Sequence, residues 1–193
     1  MREIAELLPH IELLTLDQAG VEAAPEEDGI EAFDTFIANA RAKADHFMRI
    51  TGLPTIADDS GLSVDALDGA PGVHSRRFSG RDLTGIELDR ANNDHLLHLL
   101  RNVPHAHRTA HYTCAAVLHE PDGHRLAAIG TCSGIIADEP RGTGGFGYDP
   151  LFILPHDGRS FGEMTAAEKH RFSHRARAFR ALATLIDHHA FSR

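Results

Sequence analysis

The fold turns on "RTAHYTCAAVLHE" (108–120), "PDG" (121–123) and "HRLAAIGTCSGII" (124–136). Two long alternating runs flank a Pro-Asp-Gly reversal, which predicts a β-hairpin whose glycine supplies the backbone freedom of the turn. Its strands are apolar enough to need cover, and the flanking sequence supplies helices. Upstream, Ile30, Phe33, Ile37, Ala40, Ala44 and Phe47 recur at three-and-four spacing, predicting an amphipathic helix that stops near Thr51-Gly52. Downstream, Ala176, Phe179, Leu182 and Ile186 predict a closing helix from Ser173 onward.

Shorter signals fill the intervals. "MREIAELL" reads as a helix ended by Pro9, followed by an extended run, "IELLTL". "LPTIADDSGLSVDAL" reads as strand, tight turn, strand, which places Asp58 and Asp59 at a strand end. Ile86, Leu96, Leu97 and Leu100 mark a helix before Pro104. "LFIL" is a short buried strand, and Thr165 with Glu168 forms a capping box that opens another helix. Without a repeat or linker, residues 1–193 are expected to form one mixed α/β domain.

Composition narrows the class. Apolar residues at 42 % and charged residues at 24 % are globular proportions. A net charge of -9 argues against wrapping a polynucleotide, which needs many phosphates neutralised by lysine and arginine, yet allows a small anion carried by metal ions and a few local cations. Cys114 and Cys132 are too few for a disulfide scaffold and too far apart for a zinc knuckle, so they read as buried thiols. No apolar run reaches the roughly 20 residues of a membrane span. The amino terminus lacks the features of a targeting peptide, so cytoplasm is the expected compartment.

Five polar stretches are candidates to carry chemistry. Paired aspartates in "DDSG" (58–61) suit a hard divalent cation and proton abstraction, or else cap a turn. "EED" (26–28) reads either as metal-binding carboxylates or as solvated residues ahead of a helix. "GTGGFGYDP" (142–150) lacks the lysine-serine ending of a Walker A loop; it is a turn, or a place where backbone and Phe146 approach a flat ligand. "EKHRFSHR" (168–175) gathers donors for an anion or a carbonyl-rich base, or else is a surface-charged helix, and "SRRFSG" (75–80) adds Arg76 and Arg77, which either meet phosphate or belong to a surface loop. Other histidines, including His188-His189, show no metal-ligand spacing and read as surface or satisfied core residues.

Together, "PEEDG", "FIANARAKA", "IADDSGLSVDALDGAPGVHSRRFSG", "GTGGFGYDPLF" and "SFGEMTAAEKHRFSHR" resemble, in order and over nearly the whole chain, the inosine triphosphate pyrophosphatases, or non-canonical purine NTP pyrophosphatases. That resemblance implies an α/β fold with a long twisted mixed sheet flanked by helices, two lobes with an active-site cleft between them, and a homodimer. It implies Mg²⁺-dependent hydrolysis of ITP, dITP and XTP to monophosphate and pyrophosphate, cleansing the nucleotide pool. By motif match, Asp59 is the general base or a metal-linked carboxylate, with Asp58 beside it, and Glu27 is a further metal ligand. Ser60, Lys43 and Arg77 are expected to contact substrate; Phe146, Gly147, Tyr148 and Asp149 to frame the base; Lys169, His174 and Arg175 to hold it. The family's opening strand and T-x-N-x-x-K loop have no counterpart here, because Met1-Arg2-Glu3 aligns directly after that lysine. This departure makes a nucleotide-binding protein without catalysis the rival expectation, and a phosphatase releasing orthophosphate a second.

Overall fold

In the computed structural model, which describes residues 2–21 and 30–190, the hairpin forms the middle of a four-stranded sheet ordered β1-β2-β3-β4. Its strands are β1 (Thr55–Val64), β2 (Thr109–His119), β3 (Arg125–Ile136) and β4 (Phe152–Ile153). At the reversal, the Glu120 N–H donates to His124 O and the Gly123 N–H to Glu120 O, each at 2.9 Å. Antiparallel pairing sets Ile135 opposite Ile153 and Ile136 opposite Phe152. Five helices accompany the sheet among the described residues: α1 (Arg2–Leu7), α2 (Phe36–Thr51), α3 (Gly85–Leu100), α4 (Ala166–Phe172) and α5 (His174–Ala190).

The chain divides into two compact units. The first comprises Met1–Ser60, Cys114–Gly130 and His174–Arg193. Strand alternation sorts its apolar residues onto two sheet faces. Ile56, Cys114, Ala116 and Leu118 pack with Ala178, Phe179 and Leu182 of α5 and with Ile4 and Leu7 of α1. On the other face, Ala57, Ala115 and Val117 pack with Ala40 and Ala44 of α2. A strand covered on both sides reads as a continuous apolar run, hence "CAAVL". Close approach of α5 also fixes Gly130, where a Cβ would lie 2.2 Å from His174 O and 2.3 Å from Ala178 N.

The second unit comprises Gly61–Thr113 and Thr131–Ser173. Leu62, Val64, Leu96, Leu100, Leu151 and Leu154 build its core around Tyr112, Phe152 and Phe161. The Tyr112 and Phe152 rings lie 4.6 Å apart, and Phe152 and Phe161 5.1 Å.

Several expectations need correction. α2 begins at Phe36, not at Ile30, because Thr35 caps it by accepting the Ala38 N–H. Its end is as expected, with Gly52 at φ 66° donating back to Met48 O. "IELLTL" is irregular and then turned, not extended. Most consequentially, "DDSG" is no turn: β1 runs unbroken through Asp58, Asp59, Ser60 and Gly61. Both aspartates find distant partners, so neither serves to cap a local reversal.

Candidate active site

Because β1 is extended through Asp58 and Asp59, the two carboxylates leave the strand on opposite faces. Asp58 follows Ile56 onto the α5 face, where Arg175 reaches its Oδ2 from Nε at 3.1 Å and from Nη2 at 2.9 Å. The Ser60 hydroxyl, two residues along the same face, donates to Asp58 Oδ2 at 3.0 Å. The Cys114 thiol approaches the same oxygen at 3.6 Å. Burial, with the Asp58 charge adding to it, pushes that thiol up to about 12, so it stays protonated and donating. Arg175 sits in the first turn of α5, whose amino-terminal dipole also favours the Asp58 carboxylate.

Asp59 follows Ala57 onto the α2 face. Asn39 Nδ2 donates to its Oδ2 at 3.1 Å, and Lys43 Nζ lies 3.5 Å from its Oδ1. Asn39 and Lys43 stand four residues apart on α2 and so share one helix face. Lys43 also donates to Glu31 Oε1 at 2.7 Å, and Asn39 Oδ1 receives the Phe33 N–H at 2.9 Å. The ammonium is therefore held between two carboxylates. Burial raises the proton affinity of Asp59 above its ordinary value; Lys43 and Asn39 pull it back down, and the Glu31 charge adds to the rise. Glu31 escaped the sequence reading, which favoured Glu27; Glu27 lies outside the described residues.

In the second unit, the glycine-rich loop is built around Asp149. This residue is 2 % exposed, and its Oδ2 accepts the Phe146 N–H at 2.8 Å and the Lys169 ammonium. Gly145, at φ +75°, admits no side chain there, since a Cβ would fall 1.9 Å from Asp149 Oδ2. Phe146 is thereby turned outward, 65 % exposed, with Lys169 Nζ 4.5 Å from its ring centroid. Two residues of α3 hold the next link: Gly147 donates to Asp89 Oδ2 at 2.8 Å, and its carbonyl accepts from Asn93 Nδ2 at 3.0 Å. Neither was legible beforehand. Tyr148 is buried and donates to Ser75 O at 2.8 Å, so with Asp149 it supports the loop from behind. Burial pushes Asp149 up against the pull of Lys169, and pushes Tyr148 well above the usual phenol range.

Lys169 lies on α4, whose start is the expected capping box: the Glu168 N–H donates to Thr165 Oγ1 and the Thr165 N–H to Glu168 Oε2. His174 is buried at the first residue of α5, and Arg77 is exposed at the end of the short turn Gly72–Arg77. Within the first unit, the structure thus brings Asp58, Ser60 and Arg175 into one cluster and Asp59 and Lys43 into another. Within the second it assembles Phe146, Gly147, Asp149 and Lys169.

The chain is similar in sequence and fold to known proteins. A model of the Ham1 family matches residues 1–185. A dITP/XTP pyrophosphatase of Geobacter sulfurreducens is 47 % identical over 190 residues, covering 97 % of this chain and 90 % of that protein. One of Shigella flexneri is 45 % identical over 186 residues, covering 94 % and 90 %. The solved structure of a HAM1 protein from Coxiella burnetii superposes with a TM-score of 0.84 at 36 % identity, covering 97 % of this chain and 92 % of that one.

Proposed function

Because the chain belongs to the Ham1 family, we propose that it hydrolyses non-canonical purine nucleoside triphosphates (ITP, dITP and XTP) to the monophosphate and pyrophosphate. The observation that carries this reading is the Lys43 ammonium held between Glu31 and Asp59. A triphosphate repels nucleophiles through its own charge, so cleavage between its α and β phosphates needs cations at the oxygens and a base for the attacking water.

Asp59 is the base in this proposal. Its burial raises its proton affinity, the direction that proton abstraction requires. Lys43 meets phosphate, with Ser60 and Arg77 as further contacts. Asp58 is assigned to positioning, since it is engaged in fixing Arg175. The oxygen donors of Asp59 and Glu31 fit Mg²⁺: carboxylates are its ligand class, and these two already flank one positive charge. When bound, Mg²⁺ would neutralise phosphate oxygens; Glu27 is a further candidate ligand.

For the base, Phe146 offers an exposed ring and Lys169 a donor seated on it, with His174 and Arg175 as additional donors. Donors aimed at a 6-oxo group reject adenine, whose amino group would leave them facing another donor. The same proposal takes the chain as one catalytic domain, homodimeric and cytoplasmic. No helix among the described residues is long and apolar enough to cross a membrane.

Incubation with ITP, XTP, ATP and GTP plus Mg²⁺, with products resolved, tests the proposal. It expects pyrophosphate from ITP and XTP in preference to ATP and GTP. Orthophosphate as the first product would reassign the reaction, and tight ITP binding without turnover would favour the non-catalytic rival.

A further inference from the structure

At the end of the hairpin remote in sequence from the motifs above, Glu120, His124 and His189 converge within the first unit. Glu120 and His124 are set by the reversal itself: their backbones pair, Glu120 N–H to His124 O, so their side chains are cross-strand neighbours. His189 comes from the last turn of α5. The imidazoles of His124 and His189 stack face to face, centroids 3.7 Å apart and planes 4° from parallel. His189 Nε2 lies 3.4 Å from Glu120 Oε2. One ligand atom from each of the three residues falls within 4.8 Å of the others.

We propose that these three residues form a site for a divalent transition-metal ion of the zinc class. Two imidazole nitrogens and one carboxylate oxygen are the donor set that such ions select over Mg²⁺ and Ca²⁺. Ligand atoms around tetrahedral zinc stand roughly 3.3–3.5 Å apart, so binding requires the two imidazoles to rotate out of their stack until each ring plane contains the ion. A second observation points the same way. Among the described residues, His124 Nε2 is buried and makes no hydrogen bond, and an imidazole nitrogen without a partner is a lone pair or N–H left unsatisfied at a cost. An ion would engage it and tie the end of α5 to the hairpin turn. Three protein ligands leave a position for water. Nothing in the proposed hydrolysis uses these residues.

The test uses the full chain, freed of metal with a chelator and titrated with Zn²⁺ alone by calorimetry under saturating Mg²⁺, which fills oxygen-only sites. One equivalent should bind saturably. His124→Gln and His189→Gln should each weaken it more than roughly tenfold, since losing even a residue that supports a metal ligand costs that much. Circular dichroism checks that both variants fold, and Glu120→Gln, which preserves shape, serves if either does not. Co²⁺ in place of Zn²⁺ should give the visible absorption of a nitrogen- and oxygen-ligated ion, lost in the same variants. Absence of saturable binding, or binding unchanged in the variants, overturns the proposal.

Discussion

Lys169→Met isolates the interaction on which the glycine-rich loop rests. Methionine keeps the apolar stem over Phe146 and Phe161 but removes the ammonium that lies 4.5 Å and 5.4 Å from their ring centroids. Asp149, 2 % exposed, then loses its counter-charge while retaining the Phe146 N–H. Stranding one member of a buried ion pair costs about 3–5 kcal/mol; the 14 % exposure of Lys169 argues for the lower end, about 3 kcal/mol. For a domain of this size that is a fall in Tm of roughly 6–12 °C. The loss should depend on pH in a definite sense. Burial already raises the Asp149 carboxyl, with Lys169 opposing the rise. A carboxyl with a raised folded value stabilises fully below its unfolded value and loses that contribution as pH rises through the folded value. Removing Lys169 moves the folded value further up, so the deficit should be smaller at pH 5 than at pH 8. Urea unfolding at both pH values measures it, and adding Asp149→Asn to Lys169→Met should recover much of the stability. A deficit independent of pH, or simple additivity of the two substitutions, would show that Lys169 does not stabilise the fold through the Asp149 charge.

Phe146→Ala should weaken inosine nucleotide binding by about 1–3 kcal/mol if the exposed ring stacks on the base; equilibrium titration reads this, and unchanged affinity rejects the role. Glu31→Gln should raise the Mg²⁺ concentration needed for half-maximal turnover, because it removes one carboxylate beside Lys43; an unaltered Mg²⁺ dependence removes Glu31 from the metal's ligands. Thr165→Ala should cost about 1 kcal/mol in thermal or urea unfolding, since its hydroxyl caps α4.

Local chemistry made much of the fold legible. The Pro-Asp-Gly hairpin, the Gly52 stop of α2 and the Thr165–Glu168 capping box depend on residues a few positions apart, and each stands where the sequence placed it. The misreading of "DDSG" has the opposite origin. A turn was expected because aspartates, serine and glycine satisfy backbone groups locally, whereas here their side chains are satisfied by Arg175 and by Asn39 and Lys43 of α2. Only tertiary structure could reveal that, and with it the divergence of Asp58 and Asp59 onto opposite faces. Asp89 and Asn93, which clamp Gly147, were invisible for the same reason. So was the meeting of His124 with His189, whose order in the chain carries no metal spacing.

We propose Asp59 as the group that prepares water to cleave a triphosphate. Pyrophosphate release from ITP with Mg²⁺ by Asp59→Asn, compared with the unaltered chain, tests it directly, because the substitution removes charge with little change in shape. Turnover should fall by about 10²–10⁴-fold, the range for loss of a general base, with circular dichroism and inosine nucleotide affinity retained. Near-normal pyrophosphate release from a folded Asp59→Asn protein would contradict it.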